Sequence, residues 1–388
     1  MAITLKRLLN YVADEKLTIL SGEKNLNRAV RWVHMVESIE ISIFLEGQEV
    51  AFLTGAALRS NDDLMEVVKS VIENQATALV INIGPYIKEI PEYIINYCKE
   101  RQFPLISTPW EVHMAHIMQV FCRKITEEDK ANMELSSAVK NAIFFPKQEE
   151  LYVPALERYQ YSLEWSYCVA MIEIVKGVMP MEKERRRKIA TYIENQLTHS
   201  QKTVIVFEIE EKILLVFHQT TEKEIKKILE RVMINYCCMM HKEENSYIGI
   251  GQCTKNMKCI AKSYNQANGV LKLQKSRNQG QEVQRYSELG LYKLLLAMDD
   301  VELEKEYYME TLGVLIRNDE ANDSNYCQIL ECYLKHSGSV KDTAEELFVH
   351  RNTINTKINK IEELTGMDLS LLDTRVKFKI VFLIQEIL

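Results

Sequence analysis

The stretch from Arg351 to Ile361 holds the residue types best suited to reading a nucleic acid. It contains three basic side chains (Arg351, Lys357, Lys360), three asparagines (Asn352, Asn355, Asn359) and no acid. An asparagine amide can bond the major-groove edge of adenine, and a cation can neutralise a phosphate. Read as a helix, Ile354, Ile358 and Ile361 recur at i, i+4 and i+7 and form one buried stripe. Asn352, Asn355, Thr356, Asn359 and Lys360 then fall on the other side, with Arg351 and Lys357 flanking. An ordinary solvated face could have this spacing too. Asparagine is a mediocre helix former, however, so three in one exposed helix need another reason. The candidate DNA contacts are His350, Arg351, Asn352, Thr353, Asn355, Thr356, Lys357, Asn359 and Lys360.

Several elements must position this helix. Ser339 is a good N-cap for a preceding helix, with Asp342 able to answer it from the first turn, and Ala344, Leu347 and Val349 are expected to bury beneath. Small Ala344 lets a second helix cross closely. The break falls at Phe348-Val349-His350, with His350 capping the next helix and no glycine marking the turn. Tyr326 to His336 is a supporting helix, and Thr374 to Leu388 closes the chain over the last core. Asn318 to Asn325 is polar enough to be a hinge.

At 388 residues the chain is long enough for two or three domains, and 47% hydrophobic with 27% charged residues suits a globular protein with real cores. The formal net charge of −7 opposes non-specific nucleic-acid binding over most of the surface, so DNA contact must be local. Nine cysteines without a Cys-x-x-Cys predict reduced thiols and a cytoplasmic protein. No signal-peptide layout and no membrane-length apolar run is present.

From Met1 to about Ile125, strand and helix patterns alternate. Val30–Val36, Val50–Thr54, the continuous apolar run Ala78–Ile83 and Pro104–Thr108 read as strands, and Asp62–Asn74 and Pro91–Gln102 as helices. That order predicts a mainly parallel sheet with right-handed crossovers, whose ligands bind beyond the carboxyl ends of the strands. The residues expected there are His34, Glu37, Thr54, Gly55, Asn82, Thr108 and Trp110. Glu127 to Asn141 suits a connecting helix whose apolar positions, Met133, Leu135, Ala138, Val139 and Ala142, could pair with a second copy. Farther on, Cys168–Ile174, Thr203–Phe207, Lys212–Phe217 and Tyr247–Gly251 read as strands, and Glu222–Met240 and Ile260–Ser276 as helices. The charges of Glu182–Lys188 read as a solvated helix face.

The run His350-Arg351-Asn352-Thr353-Ile354, followed by Ile361-Glu362-Glu363-Leu364-Thr365-Gly366, resembles the C-terminal helix-turn-helix of the purine-catabolism-regulator (PucR) family, usually HRNTLxYRLxRIEELTG. Thr356 stands where that motif has Tyr. Val30-Arg31-Trp32-Val33-His34, Gly47-Gln48-Glu49-Val50, Thr54-Gly55 and Pro104–Trp110 resemble its N-terminal domain, which adds Glu49 to the candidate ligand residues. The middle resembles its degenerate GGDEF-like domain: Glu208-Ile209-Glu210-Glu211 stands where an active cyclase would carry glycines for nucleotide and acids for metal.

The resemblance implies a multidomain α/β protein. Residues 1–125 would form the α/β sensor, 126–160 a helical linker, 161–285 the GGDEF-like domain, 286–325 a helical connector and 326–388 an all-α DNA-binding domain. It implies a ligand-responsive transcriptional regulator, expected to activate metabolic genes, that binds double-stranded DNA as a homodimer under a small-molecule metabolite. No catalytic residue, metal or cofactor is expected. The other readings are an interaction adaptor that no longer binds DNA, and a nucleotide-processing enzyme. Against the enzyme, no Gly-x-Ser-x-Gly, His-Glu-x-x-His or Walker loop occurs.

Overall fold

A computed structural model describes residues 3–177, 179–199, 204–237, 244–298 and 300–388. Thr203 and residues 238–240, included in the strand and helix expected above, lie outside them.

The first sheet has five strands in the order Thr18–Ser21, Leu105–Pro109, Ala78–Ile83, Glu49–Leu53, Trp32–Met35. The last four are mutually parallel, and Thr18–Ser21 joins antiparallel at the edge. This short edge strand, flanked by polar residues, was not legible in the sequence. Alternate residues build two cores. One face sends Val33, Val50, Phe52, Val80 and Ile106 against Leu5, Leu8, Ile117 and Phe121. The other sends Ala51, Leu53, Leu79, Ile81 and Leu105 against Leu64, Val67, Val68, Val71 and Ile94. A strand buried on both faces shows no alternation, which is why Ala78–Ile83 reads as a continuous apolar run. The helix Asn61–Glu73 starts at a reciprocal Ser60–Asp63 capping box.

The linker helix runs from Met114 to Phe144, passing without a break through the 125/126 boundary expected from sequence. At 31 residues it is roughly 46 Å long at ~1.5 Å per residue. Its first half packs on the first sheet through Ile117, Phe121 and Ile125. In its second half Leu135, Ala138, Val139 and Ala142 are buried within the same chain, leaving only Met133 of the expected pairing stripe exposed. That stripe is therefore not free to meet a second copy.

The second sheet has the order Val204–Ile209, Lys212–His218, Tyr167–Lys176, Glu244–Ile250, Val283–Arg285. Its hairpin pairs Ile209 with Lys212, and Glu210 takes φ +54 in the turn. The charge run 182–188 is not wholly solvated: Arg186 is buried, donating to Glu208 (3.1 Å) and to the Met181 carbonyl (2.9 Å).

The last region is helical: Val301–Asn322, Tyr326–Lys335, Val340–Glu346, Arg351–Thr365 and Leu372–Gln385. Leu312, Leu315, Ile329, Leu330, Ala344, Ile354, Ile358, Ile361, Phe378 and Phe382 share one core. Leu312 and Leu315, expected in a connector, thus belong to the core beneath the helix-turn-helix. Leu383 and Ile384 of the closing helix enter a second cluster with Val270, Leu273, Tyr286 and Tyr292.

The hinge expected at 318–325 is tied down. Asp319 accepts from Tyr326 N (2.8 Å), Cys327 N (2.9 Å) and Ser324 Oγ (2.7 Å). Burial alone would raise the Asp319 carboxyl, but these bonds outweigh it and hold it below its ordinary value. Its stabilisation is therefore present above the unfolded carboxylate value, ~3.9, and lost as pH falls through the lower folded value. Asp319→Asn should lower stability at neutral pH by roughly 1 kcal/mol, a figure discounted for solvent screening. The gap from the parent should close in acid. Urea titrations at several pH values would check this.

Candidate nucleic-acid interface

Local sequence sets the two helices. The Ser339 hydroxyl accepts from Asp342 N (3.3 Å) at the first, and His350 Nδ1 accepts from Asn352 N (3.2 Å) at the second. Gly366, at φ +67, ends the second helix. The turn between them does without glycine because Phe348 itself takes φ +53, with its ring 94% exposed. Val349, expected to bury, is 41% exposed.

Ile354 and Ile361 are fully buried and Ile358 nearly so, which turns the opposite face of Arg351–Thr365 to solvent. Arg351, Asn352, Thr353, Asn355, Thr356 and Asn359 are exposed, and Lys357 and Lys360 half-buried. Asn352, Thr353, Thr356, Lys357, Asn359 and Lys360 line one open groove of about 780 Å³, together with Tyr326 and Glu363. Sequence reasoning missed these last two. Tyr326 opens the supporting helix, and Glu363 lies one turn beyond Asn359 on the same face, a spacing that could have found it. Asn355 is not in the groove. At ~100° per residue it sits roughly 90° from the centre of the exposed face, beside Arg351. The central amides are therefore Asn352 and Asn359.

The two lysines are already held. The Lys357 ammonium donates to Asn325 Oδ1 and lies 5.7 Å from the centre of the Tyr326 ring. Lys360 pairs with Glu363 at 2.8 Å, and that bond raises its pKa. A phosphate must compete with Glu363 for Lys360. Glu363→Gln should therefore tighten binding to any duplex by roughly threefold at low salt, as read by fluorescence anisotropy.

The residues proposed for a small ligand separate into groups. Glu37 accepts from Thr54 N (3.1 Å), Thr54 Oγ1 (2.8 Å) and Gly55 N (3.1 Å). Asn82 donates to the Pro109 carbonyl (3.0 Å), and a Cβ at Gly84 would meet Trp110 at 2.6 Å. These groups, with Thr108, do gather at the carboxyl ends of the strands, but their hydrogen bonds largely satisfy one another. The buried Thr108 hydroxyl has no hydrogen-bond partner. His34 lies half-buried inside its strand, opposite Ala51. Glu49 begins its strand, roughly 16 Å from Thr54 at ~3.3 Å per residue, so it belongs to the other edge of the sheet.

Among the described residues, Cys332, His336 and Glu346 place donor atoms within 4.8 Å of one another. Glu346 is already paired with His336 (2.6 Å) and Lys335 (2.7 Å), so ion pairing accounts for the group.

A five-stranded α/β sheet, a second sheet with a glycine-free hairpin and a terminal helix-turn-helix make up a multidomain α/β chain with a helical end. Residues 8–125 match the purine catabolism regulatory protein-like family, 148–273 a GGDEF-like domain and 326–384 the PucR C-terminal helix-turn-helix domain. The chain belongs to the PucR family. It is 28% identical over 261 residues to the proline-responsive transcriptional activator PutR of Bacillus subtilis, covering 65% of this chain and 61% of PutR. It is 24% identical over 154 residues to the DNA-binding transcriptional activator AdeR of the same organism, covering 39% and 34%. To the carbohydrate diacid regulator of Escherichia coli it is 23% identical over 252 residues, covering 62% and 63%. The chain thus spans less than two thirds of the length of each of these relatives. No helix among the described residues is long and apolar enough to cross a membrane.

Proposed function

We propose that the protein is a ligand-responsive, DNA-binding transcriptional regulator of the cytoplasm, acting as a homodimer on metabolic genes and without catalysis of its own. The observation that carries this reading is the solvent-facing row of Asn352, Thr356 and Asn359 beside Lys357 and Lys360, on a helix whose isoleucines are buried. Two copies set about 34 Å apart would read a symmetric operator, which one short helix could not specify. Activation is the favoured direction because PutR and AdeR are activators.

The hairpin supports the non-enzymatic part. Its two-residue turn is Glu210-Glu211, so no glycine admits a nucleotide, and Glu208 is held by Arg186. Genome-wide mapping of bound DNA tests the regulator, and GTP turnover with magnesium tests the enzyme. Lys357→Ala and Lys360→Ala should each weaken binding to every sequence and flatten the slope of log affinity against log salt by roughly 0.9. Unchanged slopes in both variants would remove the phosphate role.

A further inference from the structure

The second half of the linker helix faces the hairpin of Val204–Ile209 and Lys212–His218, and a cavity of about 450 Å³ lies between them. That is within the roughly 300–1,000 Å³ of small-molecule sites. Tyr159, Tyr161, Trp165 and His218 line it. Trp165 stacks on His218 with centroids 4.7 Å apart at 19°, and Tyr161 meets the same ring edge-on at 5.6 Å. Both ring nitrogens of His218 are shut off from solvent and have no hydrogen-bond partner. Burial lowers the pKa of His218 and so favours the neutral ring, in which one nitrogen is a donor and the other an acceptor.

The charge in the cavity is balanced. Among the described residues lining it the one carboxylate, Glu128, accepts from both terminal nitrogens of Arg7 (3.2 and 3.1 Å). Among the described residues lining it there is no lysine or arginine. An anionic ligand would find no counter-charge, and a cation would have to displace Arg7. A flat, uncharged ring could stack on the aromatic wall, and a turn of the His218 ring about its outer torsion would bring one of its unpartnered nitrogens to it.

We propose that this cavity is the effector site and that its ligand is an uncharged planar nitrogen heterocycle. The proposal rests on the reading of the protein as ligand-responsive and moves the ligand away from the first sheet's edge. It also supplies a route for the signal. The helix that forms one wall is the same continuous helix that carries Ile117 and Phe121 into the first sheet's core.

The test uses the full chain. With Trp32→Phe and Trp110→Phe, Trp165 is the sole tryptophan and reports directly. Nicotinamide, cytosine and uracil serve as uncharged planar probes, and succinate as a charged, non-planar control. At least one probe should quench Trp165 saturably, and succinate should not. His218→Phe, which keeps the ring and removes the nitrogens, should weaken that probe roughly tenfold, the size of a lost buried hydrogen bond. Ala131→Phe, which fills the cavity from the helix side without removing a contact, should abolish binding while leaving the melting temperature in place. Absence of saturable quenching by all three probes, equal quenching by succinate, or undiminished binding in a folded Ala131→Phe variant would each overturn the assignment. DNA affinity of the effector-free chain is measured alongside. If DNA binds and the probes do not, the site falls and the regulator reading stands.

Discussion

Ile354→Asp is expected to unfold the helix-turn-helix and abolish DNA binding. Ile354 has no exposed surface and shares its core with Leu330, Ala344, Ile358 and Phe378. A carboxylate there loses water and gains no cation. The cost is roughly 4 kcal/mol or more, comparable to the whole stability of a small domain, ~5–15 kcal/mol. Ile354→Val is the control: it removes one methylene, should cost about 1 kcal/mol, and should leave DNA affinity nearly intact. Calorimetry and fluorescence anisotropy on the two variants separate loss of fold from loss of contacts. A folded Ile354→Asp variant that still bound DNA would show that this stripe does not support the reading face.

Asn352→Ala combined with Asn359→Ala is expected to erase sequence preference while sparing stability. Both amides are exposed, and both line the groove beside Lys357 and Lys360. Each side chain matched to an adenine discriminates by roughly 1–3 kcal/mol, so the pair should account for about 2–6 kcal/mol between operator and random duplex. The non-specific component should persist, because the lysines remain. Asn355→Ala should matter less, since Asn355 stands to one side of the groove. Competition of operator against random DNA measures the ratio. If the double variant keeps its preference, recognition lies elsewhere, and the exposed Phe348 ring at the turn becomes the next residue to replace.

Legibility followed the range of the forces involved. Ile354, Ile358 and Ile361 were readable as a buried stripe because helical period is a local property, and the same holds for the His350 cap. Ala78–Ile83 announced a two-sided strand by composition alone. The edge strand Thr18–Ser21 did not, because four residues with mixed burial carry no period. The turn at Phe348 defeated a glycine search: the left-handed conformation is imposed there by the two helices it joins. Glu37 and Asn82 were correctly placed at strand ends, yet their partners, Thr54, Gly55 and Pro109, arrive from other strands.

By itself the sequence determined the order of most of the elements, the family to which they belong and which face of the helix Arg351–Thr365 is apolar. These follow from periodicity and from short motifs, in which every interacting residue lies within a turn or two of its partner. Only the tertiary structure decided that Tyr326 joins Asn352 and Asn359 along one groove, and that the linker helix buries Leu135 and Val139 within its own chain. It also brought Trp165, His218 and Ala131 around one cavity. Those outcomes depend on strand register and on packing between segments tens of residues apart, which local propensity does not encode.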